Sequence, residues 1–196
     1  DKPLPVEEHH WTISSSPAES GYLSSTIKEL GDFTITIGDT RVGDKVAVQG
    51  AFGRFSYVLH PDEKDLVFIA GGIGITPLMS MLRHMRDTAD NRSVVLLYAN
   101  PQADKIVFRQ ELKDLENGRY PELTVVHVLE RPTRDWTGES GRVDREIIER
   151  NCAGDLKDKT FYVCGPQQMR QSVINALKDL GIADRQIRTE IFSFLD

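Results

Sequence analysis

Two short stretches of this sequence carry residue types at spacings that could do chemistry. Gly71-Gly72-Ile73-Gly74-Ile75-Thr76-Pro77 follows the apolar run Leu66-Val67-Phe68-Ile69-Ala70. Glycines there let the backbone turn tightly and approach a ligand. A helix opening at Thr76 and Pro77, with Thr76 as its cap, would aim unpaired N–H groups and the positive end of its dipole into the turn, where a phosphate is the natural guest. The spacing is not GxGxxG, and the same letters also suit a strand, turn and helix with no ligand. Cys164-Gly165-Pro166 closes a second apolar run, Phe161-Tyr162-Val163, with Met169 in the first turn of the helix that follows. With no basic neighbour in the sequence to lower its pKa, Cys164 reads as a soft contact for a flat ring rather than a nucleophile. The plainer alternative is a buried thiol ahead of an ordinary Gly-Pro turn.

The elements that would hold these stretches alternate strand and helix from Asp65 onward. Strands are expected over 66–70, 93–98, 123–129, 160–164 and 186–191, with helices near 77–87, 105–116, 144–150 and 167–180. That order predicts an α/β fold with a doubly wound, parallel, five-stranded sheet, whose ligands lie beyond the carboxyl ends of the strands. Three loops fall at such ends, over 71–76, 98–104 and 164–169, so the two glycine-bearing turns would share one crevice. Ahead of Asp65 the chain is β in flavour. Strands are expected at His10–Ile13, Tyr22–Lys28 and Lys45–Gln49, separated by serine-rich and glycine-bearing turns. Three or four strands are few for a closed barrel. The expectation is therefore a partial antiparallel β domain, a barrel or sandwich, over 1–62, lacking its first strands, followed by an α/β domain over 63–196.

Composition excludes several function classes. The chain of 196 residues carries a formal net charge of -6, and no Lys/Arg cluster of the kind that grips a phosphate backbone, so no nucleic-acid partner is expected. No apolar run approaches the roughly 20 residues of a membrane span, and Asp1 opens a polar segment, so neither direct membrane insertion nor a secretory leader is expected. Cys152 and Cys164 have no CxxC spacing for zinc or an iron–sulfur cluster, and His9, His10, His60, His84 and His127 show no metalloprotease pattern, so no metal is expected. There is no GxSxG elbow and no Walker lysine. Met79, Met81 and Met85 read as core packing, and His84 as a helix-surface residue.

GGIGITPLMSML, FYVCGPQQM and the terminal Thr189-Glu190-Ile191-Phe192 together resemble the ferredoxin–NADP reductase superfamily, in which a flavin-binding barrel precedes a nucleotide-binding domain. The front half agrees with that resemblance. His9-His10-Trp11-Thr12-Ile13-Ser14-Ser15 is similar to the family's Arg-x-Tyr-Ser flavin signature, in a His-x-aromatic-Thr variant like that of the dehydrogenase domains of NADPH oxidases and transmembrane ferric reductases. Thr26-Ile27-Lys28 with Gly31-Asp32-Phe33-Thr34 resembles the second flavin segment, and the stretch Gly50 to Phe55 resembles the Gly-Pro-x-Gly-x-Phe loop.

The resemblance implies FAD and NADPH or NADH as cofactors, with hydride transfer from the nicotinamide to the flavin and onward single-electron transfer to a haem or ferric acceptor. Trp11 would lie against the flavin, Thr12 would offer its hydroxyl near flavin N5, and His9 would stand on the pyrophosphate where the family usually has arginine. Ile27, Lys28, Gly31, Phe33 and Thr34 would complete the flavin site. Gly71, Gly72, Gly74, Ile75, Thr76 and Pro77 would hold the pyridine nucleotide's pyrophosphate, while Cys164, Gly165, Pro166 and Met169 would line the nicotinamide side. Glu190 would orient nicotinamide or relay protons, and Phe192, rather than Phe194, would cover the flavin. Asn100 would meet a ribose, with Arg109 and Arg131 as candidate partners for a 2′-phosphate. The implied partner is an N-terminal transmembrane haem domain or another acceptor domain outside this chain, at the cytosolic face of a membrane. A soluble ferredoxin- or iron–sulfur-linked reductase, or a nucleotide-binding module without turnover, are the alternatives.

Overall fold

The computed structural model describes residues 8–190; Phe192 and Phe194 lie outside the described residues. Strand β1 (Asp65–Gly71) takes up the apolar run, and its residues Leu66 to Ala70 are buried on both faces, as a central parallel strand requires. It is flanked by β2 (Ser93–Asn100) and β5 (Thr160–Cys164), both parallel to it. Outward from these lie β3 (Glu122–Leu129) with the two-residue β4 (Glu139–Ser140) on one side, and β6 (Ile187–Glu190) on the other. The sheet order is β4-β3-β2-β1-β5-β6. The five expected strands are thus all present, and β4 adds a sixth too short to leave a period-2 signal in the sequence.

Helices α1 (Ile75–Asp87) and α2 (Arg109–Glu116) cover one face of the sheet, and α3 (Arg145–Asn151) and α4 (Gln167–Asp179) the other. The alternation of side chains along β1 sorts the core. Leu66, Phe68 and Ala70 pack with Leu78, Met79, Leu82 and Met85 of α1, whereas Val67 and Ile69 pack with Ile147 of α3 and Val173 and Leu177 of α4. Complete burial of a side chain such as Phe68, Leu78 or Met79 contributes about 1.5–3 kcal/mol. The three methionines of α1 are therefore core, as their spacing indicates. From β1 the chain runs outward through β2, β3 and β4, then returns to β5 on the far side of β1, so strand order reverses between Gly71 and Cys164.

The segment ahead of β1 differs from its strand-level expectation. The strands expected at His10–Ile13 and Tyr22–Lys28 reduce to a single antiparallel bridge, Ile13 with Ser25, backed by the Ser14 N–H donating to the Ser24 carbonyl at 2.7 Å. The region 45–49 forms no ladder, and Val46 and Val48 stay exposed. A strand is stable only when paired along its edges and covered on one face, and the described residues give this stretch neither. Thr34–Asp39 instead winds into a 3-10 turn. Its threonine hydroxyls satisfy the local backbone: Leu30 N–H donates to Thr34 Oγ1 at 2.6 Å, and Thr36 Oγ1 donates to the Phe33 carbonyl at 2.7 Å, which competes with strand pairing.

Around residue 63, the expected domain boundary, the linker is pinned to the sheet. Glu63 accepts from the Tyr162 hydroxyl at 2.6 Å and from Arg188 at 2.7 Å, which joins the linker to β5 and β6.

Candidate active-site crevice

The ends of β1 and β5 interlock. A Cβ on Gly74 would sit 2.5 Å from the Cys164 carbonyl oxygen, and one on Gly165 would sit 3.0 Å from both N and Cα of Gly71. A Cβ on Gly71 would collide with Met169 Sδ and come within 2.9 Å of Pro166 Cδ. Gly71, Gly74 and Gly165 are thus small so that the two turns can touch each other. Gly72 differs: its φ is +52°, the left-handed region, and nothing lies within 4 Å of where its Cβ would be. Of the glycines in the turn, it is the one whose backbone is left open. The Tyr98 hydroxyl donates to the Gly72 carbonyl at 3.1 Å and fixes that peptide from β2.

Helix α1 starts two residues earlier than expected. Gly74 is the N-cap, Ile75 is the first helical residue, and Thr76 lies inside the first turn with its hydroxyl donating to the Ile73 carbonyl at 3.0 Å. Thr76 is therefore not the cap. The turn Gly72–Gly74 already winds as a 3-10 helix, which leaves the capping position to a glycine with no side chain to offer. Pro77 occupies the first turn, where its missing N–H is no loss.

Cys164 is fully buried, and its backbone is in register with Glu190 of β6. Burial first, and the nearby Glu190 carboxylate second, push the thiol far above its ordinary range, although Arg170 stands close enough to oppose them. It stays a neutral thiol at physiological pH. Arg170 Nη1 also donates to the Glu190 carbonyl at 3.3 Å, fastening the end of β6 to α4.

At the end of β2, Asn100 is 3% exposed, and neither atom of its carboxamide makes a hydrogen bond; the amide sits beside the Tyr98 hydroxyl without bonding geometry. Burying an unpaired amide is unfavourable by about 1–3 kcal/mol. A ligand hydroxyl would remove that penalty, so the crevice fits a nucleotide ribose here. The loop beyond is held by Glu130 N–H donating to the Asn100 carbonyl at 3.0 Å and Arg131 N–H donating to the Pro101 carbonyl at 2.9 Å. Arg109 sits exposed at the start of α2.

The front segment gathers the remaining expected residues. The His9 ring stacks on Phe33 with centroids 3.7 Å apart, and Trp11 lies 5.6 Å from His9 and 6.3 Å from Phe33 at shallow interplanar angles. Thr12 is half-buried beside the Ile13–Ser25 bridge, and Ser14 Oγ lies 3.1 Å from Thr26 Oγ1, so the Thr12 segment and the Ile27–Lys28 segment run side by side. Ile27 is half-buried and Lys28 exposed. Gly31, at φ +98°, turns the chain into the Thr34 loop. Stacked rings beside a tight hydroxyl-lined turn fit a flat cofactor with a diphosphate arm.

Sequence reasoning missed a polar stripe on α1. Ser80, Arg83 and His84 do not face solvent: Ser80 Oγ donates to the Ser15 carbonyl at 2.7 Å, Arg83 Nη1 donates to the Ser14 carbonyl, and His84 Nδ1 lies 2.8 Å from the Tyr57 hydroxyl. Spacings of three and four on an otherwise apolar helix were the available signal. Ser14, Ser15 and Ser16, expected as a serine-rich turn, are buried beneath these contacts.

A family model described as the oxidoreductase NAD-binding domain matches residues 68–175. NADH-cytochrome b5 reductase 1 of Candida glabrata is 32% identical over 173 residues, a match covering 86% of this chain and 60% of that protein. The chain thus spans less than two thirds of that curated relative. Among solved structures, the cytochrome b5 reductase domain of Ulva prolifera nitrate reductase superposes with a TM-score of 0.85 at 24% identity, covering 97% of this chain and 81% of the other. A ferredoxin NADP+ reductase from Neisseria gonorrhoeae with bound FAD and NADP superposes with a TM-score of 0.72 at 24% identity, covering 92% and 78%. At these identities the two structures bear on the fold alone.

Proposed function

Because the chain belongs to the oxidoreductase NAD-binding domain family, within the ferredoxin–NADP reductase superfamily, we propose that it is the catalytic portion of an FAD-dependent NADH oxidoreductase of the cytochrome b5 reductase type, which passes electrons to a haem partner. The observation that carries this reading is the crevice at the β1/β5 reversal, where Gly72, Cys164 and Glu190 share one end of the sheet with the unpaired carboxamide of Asn100. Relatives named as NADH-cytochrome b5 reductases favour this type over an NADPH oxidase or ferric reductase.

The bound cofactors supply the hydride and one-electron chemistry. The chain's part is to bind and align them and to keep water out. Gly72 and the first turn of α1 would take the nucleotide's pyrophosphate, with unpaired N–H groups and the helix dipole directed at it. Asn100 would bond a ribose hydroxyl. Glu130, tied by its N–H to the Asn100 carbonyl, carries an exposed carboxylate 3.4 Å from Arg142; the preference for NADH rests on the relatives' names. Cys164 would offer a soft, uncharged wall to the nicotinamide, with Glu190 next to it holding or moving a proton. Trp11, Phe33 and the Thr34 turn would hold the flavin, with the Thr12 hydroxyl near its N5 and His9 on its pyrophosphate side.

The test is spectroscopic. The purified chain, incubated with FAD and desalted, is expected to retain flavin absorbance, to bleach under anaerobic NADH faster than under equal NADPH, and to reduce added oxidised cytochrome b5. Failure to retain flavin would overturn the reading and leave a nucleotide-binding module. Reduction by NADPH at an equal or greater rate would overturn the nucleotide assignment.

A further inference from the structure

Arg83 makes contacts in two directions. Toward the front segment, Nη1 donates to the Ser14 carbonyl, two residues past Thr12, next to Ser80 Oγ on the Ser15 carbonyl at 2.7 Å. Toward the nucleotide side, Nε and Nη2 hold the two carboxylate oxygens of Glu111 on α2 at 2.7 Å each, and the guanidinium lies 4.9 Å from the centroid of the Phe108 ring. Phe108 closes the loop that opens at Asn100, and it is held with φ at +60°, a left-handed conformation that a phenylalanine adopts only when its surroundings impose it. The Arg83 side chain is 15% exposed, so this is not a solvent-screened surface pair, and three of its donors are used as a planar fork that lysine cannot reproduce.

The helix that carries Arg83 also carries the crevice. Its N-cap, Gly74, packs on the Cys164 carbonyl, and a rise of about 1.5 Å per residue places Ser80 about 7.5 Å along the axis from Ile75. One rigid element therefore contacts the nicotinamide wall at its start, the Thr12 segment at its second turn, and the Asn100–Phe108 loop through one guanidinium.

We propose that Arg83, supported by Ser80, is a positioning residue for hydride transfer, which ties the Thr12-bearing segment and the Asn100–Phe108 loop to helix α1 so that flavin and nucleotide are presented in one alignment. This rests on the function proposed above. Hydride transfer is steep in the distance between donor and acceptor, so loosening either tie would slow flavin reduction far more than it weakens binding.

The experiment compares wild type, Arg83→Gln, Arg83→Lys and Ser80→Ala by two readouts. In the chain without flavin, amide hydrogen exchange over residues 13–25 is expected to speed up about tenfold in Arg83→Gln while β1 and β5 amides keep their protection. In the flavin-loaded chain, stopped-flow reduction by NADH is expected to slow about tenfold or more, with the NADH Kd within about threefold of wild type and Arg83→Lys intermediate. Ser80→Ala, which removes one hydroxyl, is expected to move both readouts the same way by less, and it carries the test if Arg83→Gln does not fold. Unchanged exchange over 13–25, unchanged reduction in flavin-loaded variants, or a loss of Kd in proportion to rate would each overturn the positioning role alone. A wild-type chain that takes up no flavin would overturn the proposed function, and the positioning role with it.

Discussion

The carbonyl oxygen of Cys164 lies 2.5 Å from the position that a Cβ on Gly74 would occupy. The Cys164 end of β5 and the glycine turn after β1 are therefore one packed unit, because neither strand end can move without the other. The atom in the way is backbone on a central strand and cannot swing aside as a side chain would.

Gly74→Ala is expected to destabilise the fold by about 1–3 kcal/mol through overpacking, which for a domain of this size lowers Tm by about 2–12 °C in a thermal scan. Gly72→Ala meets no neighbour and carries only the left-handed backbone penalty of about 1 kcal/mol, so its Tm should fall less while its NADH affinity falls more. Equal Tm losses in the two variants would contradict the division of labour between these glycines.

The unpaired carboxamide of Asn100 gives a second outcome. Removing a buried amide that makes no hydrogen bond should leave stability unchanged or raise it, since its desolvation is already uncompensated. Asn100→Ala is therefore expected to keep its Tm while the calorimetric Kd for NADH rises about tenfold, the loss of about 1.4 kcal/mol. A drop in Tm with unaltered NADH binding would make Asn100 a structural residue.

Alkaline pH should weaken the fold through its thiols. Burial pushes Cys152 up to about 11, and burial with Glu190 raises Cys164 as well. In the unfolded chain both titrate near about 8.5. Above that value the unfolded state has released protons that the native state still holds, so stability is fully present below it and falls as pH rises, by up to about 1.4 kcal/mol per pH unit for each thiol. Urea unfolding between pH 8 and 9.8 is expected to show this slope, and Cys152→Ala to reduce it by about half. A slope the same in both proteins would rule Cys152 out as a contributor.

Sequence was most informative where local and global signals coincide. The run from Leu66 to Ala70 is apolar at every position, which only a strand buried on both faces requires, and β1 is central. The Cys164-Gly165-Pro166 turn was legible for the same reason: a strand run ends where a proline forbids its continuation. The front segment was not legible as strands, because strand pairing depends on edges supplied from elsewhere, and the threonines at 34 and 36 bond locally instead.

What the sequence by itself determined is the alternation of strands and helices, the parallel sheet that follows from it, and the gathering of glycines, Cys164 and Asn100 at strand ends, since these follow from hydrophobic period and turn chemistry close along the chain. Tertiary structure alone decided which glycines serve packing and which one has open space beside it, that the Asn100 amide is buried without a partner, and that Arg83 reaches Ser14 across 69 positions of sequence. Each of those depends on which backbone atoms of a distant element come within a few ångströms. No local pattern of residue types encodes that distance.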